Sequence, residues 1–342
     1  MSTLDLIVPG LLGPFSDDLP SCFSDELKQT EFRVLNTWLS RASVSELNVD
    51  GYYATLHSLI CPQCDLSVCQ LTAELDQIAS KSAQEYLYRV DPVHFKAESD
   101  HAVLLGSQLL EVELAEAQQL IEAFNAHFFE DELTLYMGAA DRWYLKTAKP
   151  LQLNFNSFDY SLGRDIKHFM PEGEDALWWR KILNEAQMLF FQHSVNQQRE
   201  ESRQLSINGL WLWDELFSMG ELSREYSTIY SNDVFVNALA SRSGSKFRTT
   251  FDTDTEIQGP NALVIDDVYE AVCYGDVDAW LKALREFCQS HLPGIQRLLN
   301  SNKISSVNIY PCDGRVFSVD RWCLLKLWKR AKTLDNYVTK AN

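Results

Sequence analysis

His193, Asn196 and Arg199 are spaced by threes. On a helix such positions share a side, so an imidazole, a carboxamide and a guanidinium would face one way. Together they offer the N–H donors and positive charge that a phosphate or carboxylate ligand needs. Just downstream, Ile207, Leu210, Trp211, Leu212 and Trp213 run almost without a break, the pattern of a strand covered on both faces, and Asn208 and Gly209 sit within that run. A second anion-holding candidate lies far upstream in Arg89, Asp91 and His94. Its plainer reading is an Arg89 paired with Asp91 or a surface carboxylate, and a partly buried strand histidine at His94.

His57, Cys61, Cys64 and Cys69 show the spacing H-x3-C-x2-C-x4-C. Two thiolates on a tight turn can bite one zinc, and His57 with Cys69 would complete four ligands. Structural zinc sites usually draw on two separated knuckles, however, and cysteine is a common core residue even when it does nothing. No metal or other cofactor is therefore favoured.

These residues need elements to carry them. Leu4 to Val8, closed by Pro9-Gly10, reads as a buried first strand, and Glu26 to Leu39 as a helix with Leu27, Phe32, Leu35, Trp38 and Leu39 on its apolar face. Between Tyr86 and Lys146, a strand pair, a helix with an acidic first turn and two further short strands make a ββαββ unit. A strong helix starts near Asp175, with Trp178, Trp179, Ile182, Leu183, Ala186, Leu189 and Phe190 on its apolar side and His193 next along that side. The last third is α/β again: A-L-V-I-D-D is a buried strand ending in carboxylates, Asp276 caps the next helix, and Asp313-Gly314 turns a hairpin. Trp322 to Trp328 reads as a closing helix with Lys326, Lys329 and Arg330 near its end; core packing is its favoured role and a membrane-surface role the alternative. The expected division is a core over 1–82 and 206–342 with an inserted α+β domain over 83–205.

The 342 residues carry a formal charge of −18 and are 46% hydrophobic, enough for a sizeable core. Scattered acidic charge opposes nucleic acid and anionic lipid, so neither nucleic acid nor membrane is expected as a partner. The N-terminus lacks a basic segment and no stretch reaches eighteen apolar residues, so a cytoplasmic location with reduced cysteines is expected.

His193, Val195-Asn196 and Arg199, with Asn208-Gly209-Leu210-Trp211-Leu212-Trp213 after them, resemble a segment of the archaeal-type, cofactor-independent phosphoglycerate mutases. The likeness is greater to their bacterial relatives, the RpfE-type regulatory proteins, and Arg89-x-Asp91-Pro92-Val93-His94 is a second matching segment. The resemblance runs along most of the chain in order, but only these two segments match specifically. It implies an α/β fold with an alkaline-phosphatase-like core sheet flanked by helices and an inserted lid-like α+β domain. It also implies a serine nucleophile served by two divalent metals held on aspartates and histidines.

The chain departs from that pattern in its chemistry. Pro9, Gly10 and Leu11 come after the first strand where these enzymes place an acidic ligand, Asp214, Glu215 and Leu216 replace a glycine-rich turn, and His291 is the sole histidine after Asn208. The reading is therefore a catalytically degenerate relative acting as a regulatory or interaction module. It would keep a small anionic-ligand cleft built from Arg89, Asp91, His94, His193, Asn196, Arg199 and Asn208, or bind an unidentified protein partner. The alternative is an active metal-dependent phosphomutase or phosphatase with a rearranged site on Asp266, Asp267 and His291, which alone would require a divalent metal.

Overall fold

A computed structural model of the chain describes residues 2–15, 21–78, 86–217, 219–220, 225–252, 257–326 and 328–338, without the side chains of Ser21 and Cys22. The chain forms two compact units, one of residues 1–64 and 218–342, the other of residues 65–217. The junction expected at 82/83 lies outside the described residues.

The first unit is α/β. Its seven-stranded sheet runs in the order Lys246–Arg248, Thr228–Tyr230, Pro260–Val264, Thr3–Ile7, Ser306–Tyr310, Arg315–Asp320, Ser43–Glu46. The first five strands are mutually parallel; Arg315–Asp320 runs antiparallel to its neighbours on both sides, so Ser43–Glu46 at the edge runs with the first five. A parallel strand covered by helices on both faces should be apolar throughout, and Leu4, Leu6 and Ile7 are fully buried. Asp5 is the exception, buried in the same strand. Its Oδ2 accepts the Tyr226 hydroxyl at 2.6 Å and its Oδ1 accepts Asn308 Nδ2 from the neighbouring strand at 2.6 Å, so both carboxylate oxygens are satisfied.

Helices pack on this sheet as the apolar spacing demands. Val277–Ser290 is capped by Asp276, whose side chain accepts the Ala279 N–H, and buries Trp280, Leu281, Leu284, Phe287 and Cys288. The expected 26–39 helix is shorter, Arg33–Arg41, with a single 3-10 turn over Thr30–Phe32 before it. Its apolar face is as read: Leu27, Phe32, Leu35, Trp38 and Leu39 are all buried. The 313–314 turn joins the antiparallel pair Ser306–Tyr310 and Arg315–Asp320. The closing helix is only Arg321–Leu324, and the expected core-packing role fails for both of its tryptophans, since Trp322 is 75% and Trp328 78% exposed.

The second unit contains the ββαββ module. Its sheet runs Ala102–Leu105, Tyr86–Ala97, Arg142–Thr147, Thr134–Ala139, and Leu114–His127 is the helix between the strand pairs. The tryptophan strand Gly209–Trp213 is fully buried and pairs antiparallel with Tyr86–Ala97, placing Arg89 opposite Trp213 and Val93 opposite Gly209. That pairing joins residues 206–217 to this unit. No helix among the described residues is long and apolar enough to cross a membrane.

Candidate functional site

All seven expected ligand residues lie in the second unit; Arg89 and Asp91 form one group, His94, Asn196 and Asn208 another, and His193 and Arg199 join neither. The first group is a buried ion-pair cluster. Arg89 Nε donates to Asp91 Oδ1 at 2.7 Å, and Arg89 Nη1 donates to the Thr72 hydroxyl at 3.3 Å. The guanidinium also lies over the rings of Trp213 and Tyr144, 5.2 and 5.7 Å from their centroids. Asp91 accepts the Trp143 N–H and, through Oδ2, the Trp213 indole N–H at 2.8 Å. Burial pushes the Asp91 carboxyl above the ordinary range, and the Arg89 charge and hydrogen bond oppose it. This cluster binds strand to strand.

The other group surrounds a cleft of about 760 Å³, lined by His94, Asn196 and Asn208 together with Glu200, Arg203 and Ser206; neither Arg89 nor Asp91 reaches it. His94 Nδ1 is 2.8 Å from the Ser206 carbonyl oxygen, an acceptor, so that nitrogen carries the proton and Nε2 presents a lone pair in the neutral ring. Asn208 bridges the Phe95 backbone: Oδ1 accepts the Phe95 N–H at 2.7 Å and Nδ2 donates to its carbonyl at 3.2 Å. One amide hydrogen of Asn208 is left for a ligand. Arg203 and Ser206 are site residues that the sequence did not single out. Arg203 has φ 60°, a left-handed position just past a helix end, where an arginine gives no periodic signal.

The spacing of three does not build one ligand-facing side. The long helix is Ala176–Gln192 and a second helix is Ser194–Glu201, with His193 extended between them at φ −75° and ψ 143°. His193 Nδ1 accepts the Val195 N–H at 3.2 Å, so this residue caps a new helix rather than continuing the old one. Arg199 is 1% exposed and turns inward: Nε donates to Leu205 O at 2.7 Å, Nη2 to Leu110 O, and Nη1 to Glu116 at 2.5 Å. Asn196 spends its amide on the backbone of Phe190 and Ile207. Asn196 edges the cleft, while His193 and Arg199 do not line it.

The acidic turn after the tryptophan strand is also internal. Asp214 Oδ1 accepts the Cys69 and Glu215 N–H groups, each at 2.9 Å, at the start of the helix Val68–Leu75. Burial raises Asp214, and burial together with the nearby Asp214 charge moves Glu215 up to about 6.

In the cysteine cluster, His57 Nε2 is 2.7 Å from the Cys64 carbonyl oxygen and must donate to it, so it has no lone pair there for a metal. Burial lifts the Cys61 thiol to about 11, aided by Cys64, and Cys69 packs with Ala73 and Tyr144. Among the described residues, no three His, Cys, Asp or Glu side chains are grouped so as to hold a metal ion.

In open α/β sheets ligands bind beyond the carboxyl ends of the strands. In the first unit those ends lead to Pro9-Gly10-Leu11, Asp233, Asp266-Asp267 and Cys312. A Cβ on Gly10 would lie 2.9 Å from Val272, and the Trp280 indole N–H donates to Gly10 O at 3.0 Å, so apolar packing closes the exit of the first strand. Asp233 caps the helix Val234–Ser243. Burial, then the Asp233 and Asp267 charges, bring Asp266 up to about 6. Tyr52 is 5% exposed with no hydrogen-bond partner for its hydroxyl; burial, then Asp233 and Asp266, raise its pKa well above the usual range.

No family model matches the chain, and no curated protein matches it in sequence. Among solved structures it is similar to the PH0037 protein from Pyrococcus horikoshii, with 12% identity over 99% of this chain and 98% of that one and a TM-score of 0.50. A cofactor-independent phosphoglycerate mutase from Thermoplasma acidophilum aligns at 12% identity over 100% and 95% of the two chains, with a TM-score of 0.41. The class that the fold defines is an α/β protein: a central mixed sheet flanked by helices, with an α+β unit inserted in its sequence. The likeness to the Pyrococcus protein is one of fold.

Proposed function

We propose that this chain is a phosphoglycerate-mutase-like protein that has lost phosphoryl transfer and serves as a regulatory or interaction module of the RpfE type. One observation carries the reading. In the enzymes that the sequence resembles, an acidic metal ligand comes directly after the first strand of the core sheet, and here that exit is Pro9-Gly10-Leu11, buried under Val272 and bonded by Trp280. None of these side chains can bind a cation.

The cleft in the second unit is the part retained for a ligand. Arg203 supplies charge, Asn208 a spare amide hydrogen and His94 a ring nitrogen, while Glu200 on the same wall limits the net charge. That set suits a small anion such as a carboxylate or monoester bearing hydroxyls.

The competing reading is a metal-dependent phosphomutase or phosphatase on Asp266, Asp267 and His291. In its favour, Asp266 is raised to about 6 and Asp267 acts electrostatically on His291. Against it, these three side chains are not grouped so as to hold a metal ion; no such group occurs among the described residues. Elemental analysis of the purified protein, with mutase and phosphomonoesterase assays in manganese, separates the two. The degenerate reading expects no stoichiometric metal and no turnover; stoichiometric metal with turnover reverses it.

A further inference from the structure

We propose that residues 321–326 and 328–332 form a docking surface for the anionic face of a lipid bilayer. Trp322, Leu325 and Trp328 are 75%, 60% and 78% exposed. Large apolar side chains held this far into water, three within seven residues, form a patch rather than isolated surface residues.

Short turns relate Leu325 to Trp322 and Lys329 to Lys326. Leu325 N–H donates to Trp322 O at 3.1 Å, Lys326 N–H to Cys323 O at 3.1 Å, and Lys329 N–H to Lys326 O at 3.0 Å. These are three-residue turns, in which i and i+3 side chains eclipse. Leu325 therefore follows Trp322 on one side and Lys329 follows Lys326, whose Nζ donates to Cys323 Sγ at 3.3 Å, while Trp328 and Lys332 are exposed further along. Cys323 is buried and Leu324 half-buried, so the other side of the segment seats on the fold. Arg41 Nη1 donates to Leu324 O at 2.5 Å and ties the segment down.

Charge selects the occupant. Arg321, Lys326, Lys329, Arg330 and Lys332 are cationic, and no acidic residue lies between 321 and 334, in a chain whose net charge is −18. Global charge argued against any anionic surface, but exposed charges act only over about 8–10 Å at physiological salt, so a contact through this segment meets the local field. Tryptophans at headgroup depth beside lysines and arginines suit the membrane interface, where an amphipathic ring sits between oil and water. An aliphatic side chain such as Leu325 adds to burial in a bilayer but offers nothing for a nucleobase to stack on. With three apolar anchors and no long helix, attachment is peripheral and reversible. The proposal is independent of the ligand cleft and of whether catalysis is retained.

The test is co-sedimentation of the full chain with vesicles of phosphatidylcholine alone and of an equal mixture with phosphatidylglycerol. A single-stranded oligonucleotide binding assay runs in parallel. Binding to the mixed vesicles is expected, at least about tenfold weaker on phosphatidylcholine alone and weakened by salt. Trp322→Ser with Trp328→Ser, and separately Lys326→Glu with Lys329→Glu, should each lower binding about tenfold or more. Trp322, Trp328 and Lys329 are exposed and Lys326 is half-buried beside Cys323; unaltered circular dichroism and melting are expected in both variants. Should either variant lose structure, Lys329→Gln with Arg330→Gln, both exposed, supplies the same readout. No vesicle binding, equal binding to both vesicle types, variants that bind like the parent, or binding to the oligonucleotide in place of vesicles overturns the proposal.

Discussion

Asn196 and Ile207 are joined across one amide: Asn196 Oδ1 accepts the Ile207 N–H at 2.7 Å, and Nδ2 donates to the Ile207 carbonyl at 2.9 Å. A third bond runs to Phe190 O at 2.8 Å, so the side chain pins the end of one helix to the approach of the tryptophan strand. It is 5% exposed, and cutting it to Ala would strand a buried N–H and carbonyl. Asn196→Ala should cost on the order of 2–4 kcal/mol, measured by urea denaturation. A cost near zero would mean that water replaces the amide and that Asn196 is free to serve the cleft.

Gly209 faces Phe95, and a Cβ at that position would collide with the Phe95 ring. Phe95 is buried and packs edge-on against Trp211, with centroids 6.2 Å apart, so the ring has little room to give way. Gly209→Ala should destabilise by roughly 1–3 kcal/mol, and Phe95→Leu in the same chain should return part of that. Thermal melts of the two single variants and the double variant form the cycle. Additive losses would mean that the ring and the strand are not in contact.

Much of this architecture was legible in local signals. Asp276 as a cap, Asp313-Gly314 as a turn, the acidic first turn of Leu114–His127 and the ββαββ order each depend on a few neighbouring residues, and periodicity reports which face is buried. What periodicity cannot report is the partner. Asp91 meets the Trp213 indole 122 positions away, so the buried tryptophan strand read correctly while nothing local named its neighbour. His193, Asn196 and Arg199 misled for a related reason: each can bond backbone as readily as ligand, and the helix break at His193 arises from its own side chain accepting the Val195 N–H. Arg199 is the plainest case, since three carbonyl and carboxylate acceptors take it up inside the fold.

His57 donates to the Cys64 carbonyl, and burial, the largest influence, lowers its pKa against that bond. As pH falls through about 6.5, the unfolded chain takes up this proton before the folded one does, so stability drops until the folded-state value is passed. His57→Gln keeps a donor without a titrating ring and should flatten that limb when denaturation midpoints are compared between about pH 7.5 and about pH 5. A strong chelator should leave the melting temperature of the parent unchanged. Lowered melting under chelator would restore the zinc reading of His57, Cys61, Cys64 and Cys69.

Asp266 gives the sharpest distinction between a retired site and a working one. Its carboxyl stands at about 6, raised by burial and then by Asp233 and Asp267. The folded chain therefore holds a proton that the unfolded chain releases near pH 4, so stability should fall as pH rises from about 4 to about 6 and stay level above. At about pH 7 the cost is up to roughly 3 kcal/mol, less whatever partial solvent access restores. Asp266→Asn removes the ionisation while keeping the shape. The variant should gain stability over the parent through that window, with the difference constant above it. If Asp266 instead serves a divalent cation, adding manganese should stabilise the parent at about pH 7 and leave Asp266→Asn unmoved, a result that would favour the phosphotransfer reading over the degenerate one.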